Sequence, residues 1–231
     1  MFRNSEFRLT LAGAMASMAL AFGVTVDPVK ASANDAPAIG AQEFRAYVEV
    51  DVGSDELGRT LDRRVLYFVD FGCRFCRAAH GYLVNWGESL PAGFQFEVVP
   101  AVGMPEHFPM AVAYYSVVMA APQRLSAFET ELYRLMAELG RSHWDAGTYR
   151  RAAERAGIDI DAFERYTQSV EVERYVRRAG RLTEAFRLDE VPTVVVGGRF
   201  KTSPAVVQSD QTTFISLLNG LVSMRYQELG W

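Results

Sequence analysis

Cysteine is scarce in this chain, with two residues in 231. They stand together as Cys73-Arg74-Phe75-Cys76, so no disulfide within the chain can staple distant segments, and a purely structural local bridge is the weaker reading of so short a loop. Histidine is limited to His80, His107 and His143, and there is no second cysteine pair. A structural zinc site needs four protein ligands, so no metal is expected. Positive charge is also lacking: the formal net charge is -4, which leaves no electrostatic footprint for nucleic acid. Arg174, Arg177, Arg178 and Arg181 do cluster, but Glu171, Glu173 and Glu184 are interleaved, as on a solvated helix face. Internal repeats are absent, and no stretch beyond the first thirty or so residues is apolar enough to span a membrane.

At the N-terminus, Arg3 and Arg8 precede an uncharged run from Leu9 to Val26, which is followed by Ala31-Ser32-Ala33. That order predicts a secretory signal peptide over residues 1–33, cleaved after Ala33, and hence a periplasmic location. An uncleaved anchor is the competing reading, weakened by the small, weakly apolar residues of the run. Removing residues 1–33 takes away Arg3, Arg8, Lys30, Glu6 and Asp27 and leaves a mature net charge of -5. Residues 34–42 are rich in Ala, Pro, Gly and polar groups, as in a flexible leader.

The rest alternates in pattern. Phe44, Tyr47, Val48 and Val50 suggest a first strand ending at Asp51, with the turn after it around residues 53–55. Val65-Leu66-Tyr67-Phe68-Val69 is almost wholly apolar and β-prone, as in a strand covered on both faces. Beyond Asp70-Phe71-Gly72, the residues Cys76, Ala79, Leu83, Trp86 and Leu90 follow helical spacing up to a stop at Pro91-Ala92-Gly93. Phe94, Phe96, Val98 and Val99 form the next strand, and Met104 to about Leu188 is helical throughout. Val194-Val195-Val196, Gly197-Gly198 and Arg199-Phe200-Lys201 read as a β-hairpin, and Thr212 to about Glu228 as a last helix. The predicted class is α/β: a mixed central sheet flanked by helices over 43–102 and 189–231, with an all-helical domain inserted over 103–188 after the third strand.

Within that frame Cys73 sits at a helix start, where unpaired N–H groups and the helix dipole favour an anion. Disulfide exchange is carried by thiolates, which assigns Cys73 as nucleophile and Cys76, one turn deeper, as the resolving cysteine. His80, four residues after Cys76, either helps to accept its proton or is a partly buried histidine with an ordinary hydrogen bond. Asp70 has the ordinary role of a turn or cap acceptor.

The segment from Phe68 to Cys76, the later Glu190-Val191-Pro192-Thr193 and the helical insertion between them resemble the DsbA family of thioredoxin-fold thiol:disulfide oxidoreductases over roughly residues 42–228. The resemblance implies that Pro192 is cis and lies against the cysteine pair, with the backbone of Val191 available to an extended client. Without it, Pro192 marks only the start or edge of a strand. It implies no cofactor beyond the redox-active Cys73–Cys76 disulfide itself.

Two departures stand out. Many relatives have histidine where this chain has Phe75, which offers the thiolate no charge and no donor; Arg74 either compensates or points into solvent. Tyr67 stands six residues before Cys73, where thioredoxin-like proteins commonly keep a buried acid that relays the proton of the resolving cysteine.

The function so implied is a periplasmic oxidase that passes its disulfide to reduced or unfolded exported proteins and is reoxidised by a DsbB-like membrane partner. Arg74, Phe75, Val191 and Pro192 would form the client-binding surface together with Phe71, the aromatics Phe75 and Phe71 either joining it or belonging to the core. The alternatives are a reductase or isomerase of the same fold, and a non-catalytic exported assembly or binding protein.

Overall fold

A computed structural model describes residues 45–52, 60–140 and 145–230; the expected signal peptide, leader and first turn, and His143, lie outside them. Among the described residues five strands form one mixed sheet: β1 (Val48–Glu49), β2 (Arg64–Val69), β3 (Gln95–Pro100), β4 (Thr193–Val196) and β5 (Phe200–Thr202). Their order is β1-β5-β4-β2-β3, with β2 parallel to β3 and the other pairs antiparallel. β2 therefore lies inside the sheet, paired on both edges, and its residues from Val65 to Val69 are buried. That is why its sequence is an unbroken apolar run.

A parallel pair needs a crossover, and α1 (Arg74–Gly87) supplies it between β2 and β3. Cys76, Ala79, Leu83 and Trp86 are its buried residues, the stripe expected from the spacing except for Leu90, which lies beyond the helix and is only half-buried. The helix stops earlier than Pro91. Gly87 packs against the Phe96 ring so closely that a Cβ there would lie 2.4 Å from it, and the chain turns away at Glu88. β1 is also shorter than the run from Phe44 suggests, because only Val48 and Glu49 pair with β5. In the β4–β5 hairpin Gly197 and Gly198 have φ of 60° and 65°, the left-handed pair that such a tight turn requires.

Among the described residues between β3 and β4 five α-helices follow: α2 (Phe108–Ala120), α3 (Leu125–Leu139), α4 (Ala146–Arg155), α5 (Ile160–Thr167) and α6 (Val170–Ala185). The middle of α2 is buried on all sides, from Met110 to Val117 except Val112, as in the central helix of a bundle. Asp145, Asp159 and Ser169 cap α4, α5 and α6 through their side-chain oxygens. On α6 the arginine cluster is less uniformly solvated than its spacing implies. Arg177 pairs with Glu173 on the surface, but Arg178 reaches across to Glu97 of β3 and is largely covered. The last helix, α7 (Gln211–Glu228), is tied to α1 by Trp86 Nε1 donating to Asn219 Oδ1 at 2.8 Å. Among the described residues no helix is long and apolar enough to cross a membrane.

Candidate active site

The turn from β2 into α1 builds the site. Asp70 Oδ1 accepts from Gly72 N at 2.6 Å and Asp70 O accepts from Cys73 N at 3.1 Å, which sets Cys73 as the N-cap of α1 with extended backbone. Asp70 is therefore a turn acceptor. At an N-cap the side chain faces the free amides of the second and third helical residues, here Phe75 and Cys76.

As a thiol, Cys73 makes no cap bond; its Sγ lies 3.5 Å from the carbonyl oxygen of Val191 and donates to it. As a thiolate it is held by a hydrogen bond from the Cys76 thiol and then by the amides of Cys76 and Phe75. These outweigh partial burial and the nearby Asp70 carboxylate, and its pKa falls to about 6. Cys76 is the opposite case. It is fully buried, and its pKa is driven far up because its proton is committed to Cys73 and its surroundings exclude water. Only the Asp70 amide, 3.5 Å from its Sγ, favours its anion.

The residues singled out from the sequence converge on this point. Val191–Pro192 is a cis peptide bond, and the Val191 carbonyl comes from 118 positions away to meet Cys73. Phe75 is 52% exposed and forms one wall of a groove of about 280 Å³ whose other walls include Tyr82, Val191, Pro192 and Pro204. Arg74 is exposed and stacks on the Phe75 ring, its Cζ 4.6 Å from the centroid, and it is not among the groups that shift Cys73. With Arg77 it lines a second recess of about 200 Å³ beside Cys73, closed on the far side by Tyr133 and Met136 of α3. Phe71, by contrast, is 1% exposed and packs on Tyr114 and Tyr133, so it belongs to the core and not to a client surface.

Tyr67 occupies the place of the missing acid and is fully buried, its hydroxyl donating to the Cys76 carbonyl at 3.3 Å. Burial, then the neighbouring Cys76, pushes its pKa up, so it stays a neutral donor. An acid is nevertheless close. Glu129 of α3 is buried, and its Oε2 lies 3.1 Å from His80 Nε2. Glu129 belongs to no motif that marks it as functional. Its signal was there: in Leu125, Phe128, Glu129, Leu132 and Met136 a carboxylate holds an inward position of an apolar stripe.

Comparison with known proteins adds an independent line. A family described as DSBA-like thioredoxin domain matches residues 83–216, a span that begins after both cysteines. The thiol:disulfide interchange protein DsbA of Bordetella parapertussis is 27% identical over 194 residues, covering 81% of this chain and 88% of that protein. Among solved structures, the oxidoreductase NmDsbA1 from N. meningitidis matches with a TM-score of 0.69 at 19% identity, over 81% of this chain and 95% of that one. A Proteus DsbA solved with a non-covalently bound peptide matches with a TM-score of 0.63 at 17% identity, over 78% of this chain and 96% of that one.

Proposed function

The chain belongs to the DsbA family of thioredoxin-fold thiol:disulfide oxidoreductases, and from that premise we propose that it oxidises dithiols of exported proteins through Cys73 and Cys76. The observation that carries this reading is the inequality of the two sulfurs. Cys73 is accessible and acidic, whereas Cys76 is sealed and reluctant to ionise.

In the disulfide form, a client thiolate attacks Cys73 Sγ, the S–S bond breaks, and Cys76 departs and takes up a proton. The client's second thiolate then attacks its own sulfur in the mixed disulfide, and Cys73 leaves as a thiolate. A leaving group with a pKa of about 6 departs readily at neutral pH, and its stability as an anion favours the reduced enzyme. That supports the oxidising direction over a reductase or isomerase. Two electrons pass from client to enzyme, so reoxidation requires a partner of higher potential, which in this reading is a DsbB-like membrane protein. No cofactor takes part.

Extended clients fit the lip of the site. The groove between Phe75 and Pro204 offers apolar contact, and the main chain at Val191 can pair with a client strand. The Proteus relative, solved with a bound peptide, supports a peptide as the natural occupant. The predicted signal peptide over residues 1–33 supports export to the periplasm.

Oxidative refolding of a reduced, disulfide-containing substrate tests the proposal. Oxidised wild-type protein is expected to restore activity to the substrate and Cys73→Ser to do nothing above background. Equal behaviour of the two would defeat the proposal, and an equilibrium potential near that of thioredoxin, about -270 mV, would reverse its direction.

A further inference from the structure

Glu129 and His80 are a buried pair that neither the fold nor the exchange steps account for. His80 is on α1, one turn beyond Cys76; Glu129 comes from α3 of the inserted bundle, 49 residues along the chain. Their side chains are 12% and 7% exposed, with Nε2 and Oε2 3.1 Å apart. Among the described residues His80 Nδ1, Glu129 Oε1 and the Tyr133 hydroxyl, all buried, have no hydrogen-bond partner. Leaving such atoms unpaired costs about 1–3 kcal/mol each, more for a charged group, and an apolar pair of the same shape would avoid it.

What surrounds the pair points to its use. Tyr67 of β2 lies 5.8 Å from the His80 ring and donates to the Cys76 carbonyl. Phe71 and Tyr133 ring the imidazole at 6.0 and 5.3 Å. The other ionisable groups around this seam are Cys73, Cys76 and Tyr82 on or at the start of α1, Asp70 in the turn before it, Tyr67 on β2, Tyr114 on α2 and Tyr133 on α3. Burial, foremost, pushes all four tyrosines up and holds them neutral. Asp70, whose charge reaches Cys76, is partly exposed and held as a turn acceptor, which leaves His80 and Glu129, among the described residues, as the enclosed base and acid on the inner side of α1.

Resting on the proposed exchange chemistry, we infer that Glu129 and His80 are the proton store of the resolving cysteine, supplied by the helical insertion in place of the acid the sheet lacks at Tyr67. When a client opens the disulfide, the departing Cys76 thiolate gains a proton from the His80 side of the pair, leaving neutral imidazole beside carboxylate; water later restores the proton. When Cys76 instead attacks a mixed disulfide on Cys73, its proton passes to the pair, the Cys73–Cys76 bond forms, and the bond to the leaving thiol breaks. His80 and Glu129 act through Cys76 and touch no client.

Oxidised glutathione is a sufficient probe. Mixed with reduced protein, it is attacked by Cys73, and Cys76 then expels the bound glutathione as its thiolate; quenching and mass spectrometry separate the two steps. Glu129→Gln keeps an acceptor for Nε2 and removes the charge. It is expected to slow the second step at least about tenfold and to move its pH midpoint by about one unit, with the first step unchanged. If the pair were only a weld between α1 and α3, Glu129→Gln would match wild type and only Glu129→Leu would suffer; that result overturns the inference.

Coupling is reciprocal, so the unaltered protein provides a second measurement. The imidazole of His80, followed by NMR, is expected to titrate at different pH in the oxidised and reduced forms, and identical titrations overturn the inference even if the variants fail to fold. Failure of wild type to expel glutathione through Cys76 would instead defeat the proposed function itself.

Discussion

The two sides of α1 are opposite environments for the same kind of group. Its lip, formed by Arg74, Phe75, Arg77 and Ala78, is exposed to solvent, and there the chemistry of Cys73 is set by backbone amides and by one thiol. Its seam, formed by Cys76, Ala79, His80 and Leu83, is closed by aromatic rings from β2 and α3, and there the hydrogen bond to Cys73, with burial behind it, keeps Cys76 protonated. One helical turn thus separates a sulfur that ionises easily from one that hardly ionises at all. The difference follows from position at a helix start, since an N-cap faces free amides and the residue three places on faces the core.

The comparison breaks most completely at the sulfurs. Cys73→Ser is expected to abolish client oxidation, whereas Cys76→Ser leaves the attack intact and traps clients as mixed disulfides, visible as adducts on a non-reducing gel. If Cys76→Ser trapped nothing, the division of labour between lip and seam would be wrong.

Packing in the seam comes next. Leu83 is fully buried, and Leu83→Ala is expected to lower stability by about 3 kcal/mol, read from urea unfolding of the reduced protein. At the far end of the helix, Gly87→Ala would set a methyl against the Phe96 ring and is expected to cost about 2 kcal/mol.

Acidity sharpens the contrast without mutation. Thiolate absorbance of the reduced protein should rise with a midpoint near pH 6, and alkylation of Cys73 should slow about tenfold for each unit below pH 5. The sign of the linkage is that of a depressed pKa. The thiolate's contribution to the stability of the reduced form is full above pH 9, where an unfolded cysteine ionises, and is lost as pH falls through about 6. The reduced form should therefore gain on the oxidised form between pH 6 and 9, and urea midpoints of the two forms across that range check it.

The smallest effect is expected at Arg74. Since its guanidinium stacks on Phe75 and the Cys76 thiol and the helix amides lower the Cys73 pKa, Arg74→Gln should leave the thiolate midpoint within about 0.3 units, well inside the 1-unit scatter usual for folded proteins. A larger shift would mean that the lip is tuned by side-chain charge after all.

Much of this was legible from residue order. The apolar run of β2, the stripe on α1, the glycine pair of the hairpin and the unlike placement of Cys73 and Cys76 all depend on residues within one or two turns of each other, and such patterns survive in a single sequence. Phe71 shows where that stops. Its position beside Cys73 suited a client surface as well as a core, and only the approach of Tyr114 and Tyr133 decided between them. Glu129 shows the same from the other side: its place in an apolar stripe marked it as odd, but nothing local named His80 as its partner.

By itself, then, the sequence determined which sulfur stands at the helix start, which one points inward, and the kind and order of the strands and helices, though not where α1 and β1 end. Periodicity and capping are short-range physics, written within a few residues. Tertiary structure alone decided that the Val191 carbonyl meets Cys73 from 118 positions away and that the insertion delivers a carboxylate to His80. Contacts of that kind depend on how separate elements pack against one another, and their closure leaves no mark on the residues nearby.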